Sequence, residues 1–170
     1  QQAGEDLERD MYLAAIDTLT AAGFEHYEVS NFALPGFQAK HNRVYWEGGS
    51  YLGLGNSAHS FQPPLRRWNL RDWDTYRRSC LGGKVPWEGQ EVLDQEESCL
   101  EGLWLGLRTD RGFPLRNLSP EGAKTVDHWV VEGYARRVGG ILQLTPEGWL
   151  LLDELVVELD RVQDQKPCMG

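Results

Sequence analysis

Residues 41–61 read HNRVYWEGGSYLGLGNSAHSF. The stretch gathers His41 and His59, two of the four histidines in the chain, with Tyr45, Trp46 and Tyr51. Gly48, Gly49, Gly53 and Gly55 divide it, and Gly36 lies just upstream. Two readings stand side by side. A neutral imidazole is a ligand for a metal or a haem iron, and rings beside it can flank a flat guest. Alternatively, close-spaced glycines let one backbone approach another, so the stretch is a bend packed by rings. NRVYW at 42–46 is expected as a short strand or irregular chain. YLGLG at 51–55 is expected as a buried strand end whose glycines admit a second backbone or a ligand.

Upstream, residues 4–22 predict a helix with Leu7, Met11, Ala15 and Leu19 on one stripe and Gly23 as its stop. FEHYEVSNFA at 24–33 predicts a strand and LPGF a turn, an α/β rhythm too short to make a whole sheet. Downstream, RRWNL at 66–70 predicts a strand. Residues 72–83 predict a short helix capped by Asp72, and KVPWEGQEVL at 84–93 a loop-like boundary. From about 94 the pattern changes. An amphipathic helix carries Leu100, Leu103, Trp104 and Leu107. A second opens with Ser119 as N-cap and Pro120 at N1, with Val126, Trp129 and Val130 facing inward. A hairpin turns at Gly139-Gly140. A last helix is capped by Thr145 and packs Leu151, Leu152, Leu155, Val156 and Leu159. Helix, helix, hairpin, helix is the outline of a small winged-helix-like domain.

Composition narrows the function. The 170 residues suit one ordinary domain or two small pieces, and 41% are hydrophobic, enough for a core. The formal charge of −9 argues against a sequence-independent hold on nucleic acid. The helix that would read DNA carries Glu121, Asp127 and Glu132 against Lys124. Cys80, Cys99 and Cys168 are odd in number and widely spaced. They suggest no disulfide framework, point to a reducing cytoplasm, and offer no close pair for zinc or an iron–sulfur cluster. No apolar run approaches the roughly 18 residues of a membrane span. The chain begins QQAGEDLERD, without methionine, and is expected to be a piece of a longer protein ending in a loose tail.

Three further clusters carry residues of chemical interest. GLGNSAH lacks the full dinucleotide fingerprint. Ser57 and His59 share one side of an extended segment, but nothing marks the acid and oxyanion site that a hydrolase needs. Arg66, Arg67, Arg71, Arg77 and Arg78, with Trp68 and Trp73, form the one basic stretch. It could meet a carboxylate or phosphate, or be a solvated face paired with Asp72 and Asp74.

YEVSNFALPGF, HNRVYW and YLGLGNSAH, in that order, resemble the later part of HemW-type members of the radical S-adenosylmethionine superfamily, relatives of oxygen-independent coproporphyrinogen III oxidase. RRWNLRDWDTY, LWLGLRTDRG and LTPEGWLLLDELV are similar to the family's following segments. The resemblance implies an α/β (α+β) fold: the C-terminal end of a partial (β/α) barrel over 1–62, and a connecting segment over 63–93. A mainly helical, winged-helix-like domain would follow over 94–163, and a tail over 164–170. It implies haem binding through His41 as candidate axial ligand, with Asn42, Tyr45 and Trp46 shaping the pocket. Gly53, Gly55, Ser57 and His59 would lie near the S-adenosylmethionine and porphyrin space. It implies a [4Fe–4S] cluster and S-adenosylmethionine in the whole protein, and a haem-acceptor protein as partner. Cluster ligands are not expected in this chain, and radical chemistry is not expected from it alone. The rival expectations are coproporphyrinogen III oxidation, and a lid or interaction domain with no ligand of its own.

Overall fold

The structure, a computed structural model, describes residues 4–163. The tail expected over 164–170 lies outside the described residues. Helix α1 (Glu5–Ala21) runs into a hairpin of β1 (Glu25–Glu28) and β2 (Asn31–Ala33), then helix α2 (Lys40–Trp46). Strands β3 (His59–Gln62), β4 (Leu65–Asn69) and β5 (Trp87–Val92) form an antiparallel sheet, with helix α3 (Trp73–Leu81) between the last two. Helix α4 (Gln95–Leu107) leads to the short β6 (Phe113–Pro114) and helix α5 (Pro120–Val131). Strands β7 (Ala135–Val138) and β8 (Ile141–Leu144) follow, then helices α6 (Pro146–Leu150) and α7 (Leu152–Val162). The second three-stranded sheet has the order β6-β8-β7. The fold is a mixture of helices and antiparallel strands, α+β in class.

Local chemistry explains most boundaries. Asp94 and Glu97 close a reciprocal capping box on α4. Ser119 and Thr145 cap α5 and α6 through the amides of Gly122 and Gly148, with proline in the first turn of each. Asp72 caps α3 through the Thr75 amide, and the Thr75 side chain together with that amide holds its carboxyl below the usual range. Gly139 and Gly140 both adopt positive φ, as a two-residue hairpin turn between β7 and β8 demands.

The main core lies in the second half. Leu103 and Leu107 of α4, Val126 and Trp129 of α5, Leu142 and Leu144 of β8, and Leu152, Leu155, Val156 and Leu159 of α7 pack together. Leu151, half-buried, packs against this core as expected, whereas Val130 turns outward and corrects the expected face of α5 by one residue. In the first half, the buried hydrophobics among the described residues are Ile16, Tyr27, Ala33 and Phe61. The stripe expected on α1 is also corrected. Leu7 and Met11 are exposed, while Ile16 is buried and Tyr12 and Leu13 are half-buried. The Tyr12 hydroxyl donates to the Val29 carbonyl at 2.9 Å, and this anchor sets the rotation of the helix. KVPWEGQEVL contains β5 rather than a loop, paired with β4 from Val92 to Trp87. Its residues are almost all exposed, so no apolar alternation announced a strand. Cys80 is a free, exposed thiol.

The halves are joined at Glu28, whose side chain is fully buried. One carboxylate oxygen pairs with the Arg108 guanidinium at the end of α4. The other accepts from the Ser30 amide at 3.0 Å and the Asn31 side-chain amide at 2.6 Å. Backbone bonds run alongside: Val29 N to Arg108 O at 3.2 Å and Asp110 N to Tyr27 O at 3.0 Å. Beside this join, His26 stacks on Phe32 at 4.2 Å and meets Trp149 edge-on at 4.4 Å. Its Nε2 lies 3.0 Å from the Val29 carbonyl.

Two predictions follow from this join. Removing one partner of a buried ion pair strands the other, so Arg108→Ala is expected to lower unfolding stability in urea by about 3 kcal/mol. Adding Glu28→Leu should recover part of that loss, a coupling readable in a double-mutant cycle. The second concerns His26, whose pKa burial holds below 6.5. An unfolded histidine protonates near 6.5, so below that pH the unfolded chain binds more protons than the folded one. Stability should therefore fall as pH drops from 7 towards 5. His26→Phe keeps the stacking, and Tyr12 still satisfies the Val29 carbonyl, so this variant should show a shallower fall in urea midpoint.

Candidate functional site

Helix α2 is where the structure departs most from expectation, because NRVYW is helical rather than extended. Ala39 supplies no side-chain cap, and seven residues are too few to hold a helix unaided. Tertiary contacts hold it instead. Arg43 bonds the Gln38 side chain and pairs with Asp110 at 3.2 Å. Its guanidinium also lies 5.5 Å from the Tyr27 ring centroid. Trp46 packs on Tyr27 at 5.9 Å.

The helical period sorts the motif by face. His41 and Tyr45, four apart, come together: the Tyr45 hydroxyl is 2.7 Å from His41 Nε2 and the rings meet edge-on at 4.8 Å. Tyr45 in turn meets Tyr51 at 4.3 Å. Trp46 belongs to the face that grips Tyr27. Asn42 is half-buried, and neither it nor Trp46 lines the cleft described below.

The glycine segment is drawn in by its backbone. Tyr51 and Phe61 exchange two main-chain bonds of 2.9 Å. Gly53 N donates to the Ser60 hydroxyl at 3.0 Å, and Gly55 N to the Tyr76 hydroxyl at 3.0 Å. The buried Asn69 amide donates to the carbonyls of Gly53 and Gly55 at 3.3 and 2.8 Å. With the backbone fixed from inside, the side chains between the glycines point out: Leu52 is 75% and Leu54 83% exposed. The expected buried strand end is therefore an exposed loop, although the close backbone approach expected of its glycines is present. A Cβ on Gly53 would overlap the His59 carbonyl.

These elements enclose an open cleft of about 400 Å³ lined by His41, Tyr45, Tyr51, Leu52, Gly53, Leu54, Ala58 and His59. It unites His41 and His59 from opposite ends of the opening sequence with two exposed leucines. Ser57 is exposed with φ 57°, does not line the cleft, and forms no hydrogen-bonded pair with His59. The arginines do not gather. Arg66 bonds Glu91 and Glu101, Arg67 stacks on Trp87 at 4.0 Å, and Arg78 bonds the Asp74 carbonyl and the Thr75 hydroxyl. Leu52, Leu54, Asn69 and Tyr76 were not anticipated as parts of the site. The leucines are marked only by their alternation with glycine, and nothing local marks Asn69 or Tyr76. Gly53→Ala should lower stability by about 1–3 kcal/mol through overpacking, measured as a shifted urea midpoint.

No protein-family model matches the chain. Curated relatives do. The chain is 36% identical over 138 residues to a "Heme chaperone HemW" of Mycobacterium tuberculosis, covering 81% of this chain and 35% of that protein. It is 39% identical over 108 residues to the heme chaperone HemW of Lactococcus lactis, covering 64% of this chain and 28% of that one. It is 32% identical over 162 residues to the bovine "Radical S-adenosyl methionine domain-containing protein 1, mitochondrial", covering 87% and 34%. The chain thus spans about a third of the length of these relatives. Among solved structures, coproporphyrinogen III oxidase (HemN) from Escherichia coli, a radical SAM enzyme, superposes with a TM-score of 0.66 at 16% identity. That match covers 93% of this chain and 42% of the enzyme, and shows a shared fold. With these sequence matches spread over most of its length, the chain belongs to the HemW-type radical S-adenosylmethionine proteins.

Proposed function

We propose that this chain is the haem-binding part of a cytoplasmic HemW-type protein that carries haem to acceptor proteins, with His41 as an axial ligand. The observation that carries the reading is the cleft, where an imidazole on a short, tertiary-braced helix stands beside two exposed leucines. A porphyrin needs just this pairing of a nitrogen ligand and apolar surface for its faces. His41 is exposed, and the described residues near it offer room for a flat guest without rearranging a core. The relatives named as heme chaperones support the same reading.

In this proposal residues 1–62 form the last part of a partial barrel, 63–93 connect, and 94–163 form a winged-helix-like domain. The sheet of β3, β4 and β5 runs across position 62, so the first two pieces share one unit of packing. A [4Fe–4S] cluster and S-adenosylmethionine belong, in this reading, to the whole protein. The widely spaced cysteines of this chain do not fit a cluster. Coproporphyrinogen III oxidation is the second reading and draws on the likeness of fold to HemN.

The test is a titration with ferric haem followed by absorbance, on the chain and on His41→Ala. A saturable Soret shift, lost or weakened at least about tenfold in the variant, is expected. Absence of a saturable shift, or one indifferent to His41, would overturn the proposal.

A further inference from the structure

We propose that His59 is a second axial ligand, so that the cleft holds haem iron between two imidazoles; this rests on the haem-binding reading above. The four histidines are differently engaged. His26 is packed among Phe32, Trp149 and Tyr12, with Nε2 on the Val29 carbonyl. His128 stands on α5 beside Glu132, at 4.0 Å. His41 has Nε2 occupied by Tyr45, which leaves Nδ1 open. His59 is exposed at the start of β3, and its ring tilts towards Trp68 at 6.0 Å. Both ring nitrogens of His59 are without a hydrogen-bond partner among the described residues. Of the histidines with an open nitrogen, His41 and His59 line the same cleft, whereas His128 stands on α5 and does not line it.

The chemistry of the guest follows from the ligand count. A bare transition ion in a protein site needs three or four side-chain ligands. Among the described residues no group of three or more His, Cys, Asp or Glu is placed to hold one. A haem iron brings four ligands in the porphyrin ring and leaves two axial positions. Two imidazoles and an apolar rim therefore match haem and do not match a free ion.

The position of His59 is also built rather than incidental. Its strand is clamped from both sides, by Trp68 of β4 in register and by the Tyr51–Phe61 bridge. Gly53, with no Cβ, lies directly against the His59 backbone. The same packing that turns Leu52 and Leu54 outward thus fixes the strand start that carries the imidazole.

The experiment is ferric haem binding read by absorbance and electron paramagnetic resonance, on the chain and on His59→Ala, His59→Gln and His41→Ala. Low-spin, six-coordinate haem is expected in the chain, and high-spin, five-coordinate haem in both His59 variants. Added imidazole should restore the low-spin signal in His59→Ala. If the chain binds haem through His41 but both His59 variants stay low-spin, or the chain is itself high-spin, the second ligand is refuted while the haem-binding reading stands. If no saturable binding occurs, both fail together. Unchanged far-ultraviolet circular dichroism in the variants would assign a spin change to the ligand and not to misfolding.

Discussion

A carboxylate with no access to water must find its partners inside the protein, and Glu28 finds them on both sides of the chain's midpoint. Local partners, the Ser30 amide and Asn31 side chain, hold one oxygen and shape the tight link from β1 to β2. Arg108, eighty residues on, holds the other. The buried hydrophobics of the first half are few and scattered among the described residues. What it has instead is a charge that must be answered and a row of backbone bonds beside it. The buried pair therefore specifies where the hairpin docks more than it adds to stability.

From that join the influence runs outward. Tyr27, next to Glu28, presents its ring to Arg43 and Trp46, and its hydroxyl accepts from the Ala39 amide at 3.3 Å. Asp110, two residues past Arg108, takes the Arg43 guanidinium. Helix α2 thus rests on residues that flank the two members of the ion pair. The opposite wall of the cleft is built differently, by amide and hydroxyl groups of Asn69, Ser60 and Tyr76 holding the glycine backbone. One wall hangs on charge and rings, the other on a polar net behind a strand.

How much of this was legible depends on where each element's signal lies. The caps at Asp72, Ser119 and Thr145, and the Gly-Gly turn, are local chemistry and stand where the residues placed them. The packed faces of α5 and α7 were nearly right, since a period of 3.6 locates a face to within a residue. NRVYW failed because β-branched and aromatic residues favour strands on their own. Arg43–Asp110 and Trp46–Tyr27 outweigh that preference, and these are contacts across the fold that no window of sequence contains. WEGQEV failed for the converse reason: an exposed strand has no buried face to alternate with. In the site, His41, Tyr45, Gly53, Gly55 and His59 could be singled out as chemistry-bearing. That Asn42 and Trp46 would stand apart from the cleft could not be seen, because this follows from α2 being a helix, and Ser57 stands apart through a positive φ in the glycine loop.

That last point bears on why the motif has the spacing it has. In a strand, positions 41 and 45 would also share a face, but they would stand about 13 Å apart and could not bond. On a helix they stack one turn apart, and the Tyr45 hydroxyl reaches His41 Nε2. Trp46, one residue further, then turns towards Tyr27 and secures the helix to the rest of the protein. Histidine, tyrosine and tryptophan at these intervals thus divide between two tasks. The first two form a hydrogen-bonded pair at the cleft, and the third keeps that pair in place by packing behind it. A helix of seven residues can do both only because its length spans two turns, one face for the cleft and one for the fold.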